Sequence, residues 1–200
     1  IKKGEIISIT FDLDHIAYRI FKDHKIRLSI SNAYWPLLWP TPDKGEIEII
    51  DGSIEIPVTE GGSEDMRNFL PEKTDEPWKT ETLREASNSR KVTRDIGSGE
   101  SIVEIIDDFG LVRDSANGLE IGSIAREWWT IYPNDPLSAE GRTHWTEERN
   151  RGDWQTRTET FATMKSDAEN FYIYAKLEAY ENEKLFYEKE ISKTISRDCH

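Results

Sequence analysis

Serines, histidines and paired carboxylates are the groups in this chain that could do chemistry, and their spacing argues against most of it. The serine of an α/β-hydrolase sits in Gly-x-Ser-x-Gly, because the tight strand-to-helix turn that exposes it leaves no room for flanking side chains. The nearest run is Gly61-Gly62-Ser63-Glu64-Asp65, which fails at its fifth position and lies in a charged stretch. His15, His24, His144 and His200 lack the two-His-plus-Glu spacing of a zinc helix, and the single Cys199 cannot complete a thiolate site. No metal or cofactor is therefore expected, and each histidine reads as structural or exposed. His24 reads as the anchor of a turn, since a base needs a nucleophile beside it.

Carboxylates come in neighbouring pairs: Asp12 and Asp14, Glu46 and Glu48, Asp107 and Asp108, Glu147 and Glu148. Glycoside hydrolysis needs two carboxyls facing each other across a cleft. Among 39 acids such neighbours arise by chance, so solvated faces are expected. Asp107-Asp108-Phe109-Gly110 contains the letters of a kinase signature but has no lysine strand or catalytic loop near it. Arg151-Gly152-Asp153 looks like an adhesion tripeptide and is better explained as a hairpin turn.

Seven tryptophans say more. Tyr34, Trp35 and Trp39 fall in a short loop stiffened by Pro36, Pro40 and Pro42. A loop this apolar is costly to leave in water, so its own domain, a neighbouring domain or a ligand should cover it. Trp128, Trp129, Trp145 and Trp154 alternate with polar residues as sheet-face aromatics do. Were Trp128, Trp129 or Tyr172 and Tyr174 exposed in a row, they would make a sugar-stacking platform.

The elements that position these groups read as β almost throughout. Ile26, Leu28 and Ile30 alternate with Arg27, Ser29 and Ser31, which puts the apolar set on one strand face. Strands are also expected over residues 5–11, 46–50, 53–58, 91–96, 101–106, 109–113, 125–132, 142–149, 154–164, 171–181 and 184–195. Asp51-Gly52, Gly97-Ser98-Gly99, residues 150–153 and Asn182-Glu183 supply hairpin turns. Weak helical periods occur only over 64–69 and 136–140. Residues 60–89 are charged, hold Pro71 and Pro77, and read as a surface excursion. Many short strands with regular turns argue for one all-β domain over residues 1–200, a sandwich or jelly roll. Its core is expected to hold Ile26, Leu28, Ile30, Ile173, Leu177 and Trp145.

Composition bounds the partners. The net charge of −13 disfavours nucleic acid and anionic membranes, which both need a basic face. No run of about 18 apolar residues is present to span a membrane. A lone cysteine mildly favours a reducing, cytoplasmic compartment.

The run from Ile16 to Pro36 resembles the C-terminal β-domain of the cocaine-esterase and X-prolyl dipeptidyl-peptidase group of serine hydrolases (the CocE/NonD group). His24, Arg27, Ser29, Ser31 and Pro36 fit that family's strand, while Asp23 and Lys25 replace its usual Gly and Arg. Trp39-Pro40-Thr41-Pro42, Ile54-Glu55-Ile56-Pro57-Val58 and Val92-Thr93-Arg94-Asp95 continue the likeness. So do Asp135-Pro136-Leu137-Ser138-Ala139, Arg151-Gly152-Asp153-Trp154, Leu177-Glu178-Ala179-Tyr180-Glu181 and Arg197-Asp198. The resemblance implies a jelly-roll, galactose-binding-like sandwich that lacks its first strands here. It implies a parent that hydrolyses esters or X-prolyl amides with a triad in an N-terminal α/β-hydrolase domain, and a non-catalytic chain that buttresses that domain and helps wall its cleft. His24, Arg27, Tyr34, Trp35, Pro36, Trp39 and Pro40 are then the interface or cleft-lining candidates. The alternatives are a carbohydrate-binding module and an assembly domain whose aromatic loop makes a homo-oligomer contact.

Overall fold

The computed structural model describes residues 4–43, 45–58 and 70–197. The failed nucleophile run, the weak helical period over 64–69, and Asp198, Cys199 and His200 lie outside them. The described residues contain strands and no helix, as the sequence predicts.

Eight antiparallel strands form one open sheet: β1 (Thr80–Arg84), β2 (Ser87–Arg94), β3 (Ser101–Asp114), β4 (Glu120–Tyr132), β5 (Asp135–Arg151), β6 (Trp154–Ser166), β7 (Asn170–Glu181) and β8 (Lys184–Ser196). They pair in the order β1-β3-β4-β5-β6-β7-β8, with β2 also on β3. Such an open sheet is consistent with one layer of a β-sandwich. β1 and β2 together are one interrupted edge strand, since β1 pairs with Leu111–Asp114 of β3 and β2 with Ser101–Asp108. The interruption faces Phe109 and Gly110, where β3 bulges against β4. Gly110 is required there. Its φ is +84°, and a Cβ would lie 2.7 Å from the Arg84 carbonyl oxygen. The β7–β8 turn needs left-handed backbone at both Asn182 and Glu183, φ 48° and 62°, as a two-residue hairpin of this twist demands.

Cross-strand partners share a face, and register divides the sheet cleanly. Val103, Trp129, Gly141, Met164, Ile173 and Lys193 are successive partners across β3 to β8. With Ile105, Ala125, Ala139, Trp145, Phe171, Leu177 and Ile191 they make a mostly apolar face. The other face carries Glu104, Arg126, Trp128, His144, Glu159, Arg157, Lys176, Glu178 and Tyr180 and is strongly charged.

Several expectations fail. Residues 5–11, 26–30, 46–50 and 53–58 carry no strand. Strand hydrogen bonds need a neighbouring strand, and no ladder among the described residues includes these segments. For the same reason Ile26, Leu28 and Ile30 are not core; each is more than half exposed. Trp145 is 38% exposed, and Ile173 and Leu177 are only half-buried. Ala125 and Ala139 are the buried apolar residues among those described, because no second sheet among the described residues covers the face. Residues 136–140 belong to β5, and 109–113 continue β3. The excursion assigned to 60–89 ends sooner, since β1 and the start of β2 fall within its last ten positions.

Candidate interface at the aromatic loop

The chain from Ser31 to Asp43 makes the one part of residues 4–58 that is covered: among the described residues there, only Trp35, Pro36, Trp39, Pro40 and Pro42 are half-buried and the rest are exposed. Prolines fix φ and lower the entropy lost when a loop is seated. The amide of Leu38 donates to the Tyr34 carbonyl at 2.8 Å, closing a turn around a cis Trp35–Pro36 bond. The Asn32 side-chain amide donates to the Gly45 carbonyl and pinches the loop's base.

Three edge-to-face ring contacts seat the loop on the apolar face. Trp35 meets Trp39 at 5.1 Å and Trp129 at 5.7 Å, and Trp39 meets Phe171 at 6.2 Å. These are favourable geometries for aromatic pairs. Trp39 Nε1 donates to Ser166 Oγ at 2.8 Å. Arg197, 7% exposed just past β8, completes the seat. Its guanidinium donates to the Pro40 carbonyl at 2.7 Å, to Ser166 Oγ at 3.1 Å and to the Asp167 carbonyl at 3.0 Å, and lies 4.7 Å over Phe171. Trp35 Nε1 is buried without an acceptor, a cost of about 1–3 kcal/mol.

The outer side of the loop is uncovered: Tyr34 is 63% exposed, Leu37 70% and Leu38 63%. Of the candidates, the structure brings Trp35, Pro36, Trp39 and Pro40 together on the sheet and leaves Tyr34 outward. His24 is part of a separate turn, where its amide donates to the Phe21 carbonyl at 3.1 Å and its ring meets Phe21 at 6.0 Å. Asp23, with φ 72°, makes that turn possible. Arg27 is exposed. Trp129, Ser166, Phe171 and Arg197 are part of the seat that sequence reasoning did not find. Only the Arg197 signal, a lone cation in a motif past the last strand, was there to be read.

The charged face holds a second cluster. Glu159 accepts hydrogen bonds from Thr146 at 2.7 Å, from His144 Nε2 at 2.6 Å and from Arg157. Partial burial opposes its ionisation, yet these three bonds together hold its carboxyl below the usual range. Arg157 stacks 4.2 Å over Tyr180, whose hydroxyl donates to Glu178 at 2.8 Å. Lys176 bridges Glu178 and Glu188 at 2.7 and 2.8 Å, which raises the ammonium's pKa and lowers that of Glu178. Donors here are matched by acceptors, which suits a structural network. Trp128 and Trp129 face opposite sides of the sheet and make no common platform. Tyr172 and Tyr174 share the charged face, 43% and 37% exposed, with the Tyr172 hydroxyl donating to Asp167 at 2.6 Å.

The loop is thus pinned to the sheet from below and bare above. Residues 1–81 match the X-Pro dipeptidyl-peptidase C-terminal non-catalytic domain. The match is consistent with a C-terminal domain of the CocE/NonD family and bears out the resemblance drawn from the opening motifs. No curated protein and no solved structure matches the chain. A non-catalytic C-terminal domain implies a parent chain with a catalytic one. The match takes in the whole aromatic loop, and the sheet lies beyond it except for the first two residues of β1.

Proposed function

We propose that this chain serves as the non-catalytic part of a serine hydrolase acting on esters or X-prolyl amides, where it buttresses the α/β-hydrolase domain and helps wall the substrate cleft. The observation that carries the reading is the loop's two-sidedness. Trp35 and Trp39 are spent on holding the loop to its own sheet, and Tyr34, Leu37 and Leu38 stand out together on a stiff support. Exposed apolar groups on a rigid, aromatic-rich base are where interface energy concentrates. A wall so placed affects rate through alignment, since an error of about 1 Å can cost ~10²-fold.

The test is the parent enzyme with Tyr34→Ser, Leu37→Ser and Leu38→Ser combined. The expected result is a fall in kcat/KM of tenfold or more by weakened seating of the two domains (about 1.4 kcal/mol per tenfold). The melting temperature of the isolated 200-residue chain should stay within a degree or two, because these side chains touch little within it. Unchanged kinetics together with unchanged resistance of the interdomain region to proteolysis would refute the reading.

A further inference from the structure

The segment leading into β1 and the turn joining β3 to β4 enclose an open depression of about 350 Å³, lined by residues 76–79 and 114–116. That volume lies at the small end of the range for ligand sites, about 300–1,000 Å³. Most of its lining is apolar, and its largest side chain, Trp78, is 60% exposed. The walls are fixed. The Ser115 amide donates to the Lys79 carbonyl at 3.0 Å and ties one wall to the other. Within the turn, the Asp114 amide donates to the Leu119 carbonyl and the Gly118 amide to the Asp114 carbonyl, both at 2.8 Å. The Asp114 carboxyl accepts from the Ala116 amide at 2.7 Å, from the Asn117 side-chain amide at 2.9 Å and from the Trp78 indole N–H. A site built in advance spares a small ligand the cost of ordering it.

Charge in the depression is uneven. Lys79 pairs with Glu76 at 3.1 Å. Asp114 receives neutral donors, and no cation pairs with it among the described residues. Other carboxylates of the sheet differ: Asp108 holds Arg84, Asp107 holds Arg90, and Glu81 and Glu120 share Arg113. The donors to Asp114, the Ala116 amide foremost, keep its carboxyl below the ordinary value, so it is ionised at neutral pH. An anion on the indole N–H also polarises the ring toward a more negative face. We propose that this depression binds an alkylated ammonium group, carried by a small solute or by a zwitterionic lipid headgroup. Its methyl groups need apolar cover, which Trp78, Pro77 and Ala116 offer. Its charge is met by the face of Trp78 and by the unpaired Asp114 carboxylate. A primary ammonium is strongly hydrated and gains less from apolar walls. An anion would meet the carboxylates of Glu76 and Asp114, and the net charge of −13 draws cations to the surface.

Titration of the 200-residue chain with choline chloride at constant ionic strength tests this, read by NMR at the Trp78 indole N–H and the Ser115 and Ala116 amides. A saturable shift is expected with a Kd of about 1 mM or tighter, within reach of so small a ligand. The uncharged isostere 3,3-dimethylbutan-1-ol should bind at least tenfold more weakly. Asp114→Asn keeps an oxygen for the Ala116 amide but loses the charge. It should weaken choline at least fivefold and leave the isostere unchanged, with the amide spectrum of β4 to β6 unaltered. Trp78→Ala should remove saturable binding at the Ser115 and Ala116 amides. Phosphatidylcholine vesicles separate the sources. Co-sedimentation of the unsubstituted chain but not of Trp78→Ala assigns the headgroup, and choline binding without co-sedimentation assigns a free solute. No shift with choline, or equal binding of the isostere, would overturn the proposal. So would choline binding that Trp78→Ala leaves intact.

Discussion

Gly141→Ala is the sharpest probe of the seat beneath the aromatic loop. Gly141 is buried on β5 directly opposite Trp129, whose ring lies across it. A Cβ at this position would stand 2.6 Å from Trp129 Cζ3 and 3.0 Å from Cε3. Carbon atoms prefer about 3.5–4.0 Å, so the ring must retreat by roughly 1 Å. Overpacking of this kind costs about 1–3 kcal/mol. The displaced ring is also the one Trp35 leans on, a contact worth about 0.5–1.5 kcal/mol. Against these, alanine in a strand gains about 0.5–1 kcal/mol over glycine. The net expectation is a loss of about 1–3 kcal/mol, or roughly 2–12 °C in Tm for a chain of this size. Thermal and urea unfolding measure it, with Gly52→Ala as a control, since nothing lies within 4 Å of a Cβ there. A Trp129→Leu background should remove most of the penalty, because the clash is with that ring. A Gly141→Ala chain as stable as the unsubstituted one, or a loss that stays the same in the Trp129→Leu background, would refute the argument.

Two further outcomes follow from the geometry. Arg197→Lys should cost about 2 kcal/mol and speed exchange in residues 34–40, because an ammonium cannot reproduce the planar fork that reaches Pro40, Ser166 and Asp167 while stacking on Phe171. Glu159, Asp167, Asp114 and Asp95 are all held below their ordinary values of 4.5 and 3.8 in the fold, so their contribution is full above those values and is lost as pH falls through the folded ones. Melting temperature should therefore be level from pH 7 to about 5 and drop below about 4, with a shallower acid loss in Glu159→Gln; a Tm that does not change from pH 6 to 3 would contradict this.

Much of the sheet was legible in the sequence. Alternation and the turns at Gly97-Ser98-Gly99, Gly152-Asp153 and Asn182-Glu183 place β2, β3 and β6 to β8 to within about four residues, because a meander of hairpins is a local fold, whereas β5 begins seven residues before its expected start at 142. What periodicity cannot report is whether a strand has a partner. Residues 26–31 alternate as well as β7 does, yet β7 lies between β6 and β8 whereas 26–31 pair with no strand among the described residues. The charge of residues 80–89 hid β1 and the start of β2, an edge where polar side chains are the rule. In the seat, the loop's aromatics announced themselves, while Ser166 and Phe171 became visible only through the β6–β7 register, and Trp129 only through its pairing with Gly141.

The loop also explains how a segment without strands and a sheet outside the family match act together. Pro40 and Arg197 are 157 positions apart in the chain and joined by one hydrogen bond. Trp39 reaches Ser166 across 127 positions. Each contact closes a long stretch of chain, so neither would form from local preference, and each needs the whole meander in place first. The loop is consequently seated only when β4, β6, β7 and the end of β8 are correctly paired. A catalytic domain resting on Tyr34, Leu37 and Leu38 would then meet a surface that exists only on a fully folded sheet. Its load would pass through Trp35 to Trp129 and through Pro40 to Arg197, into the ladders between β4 and β8.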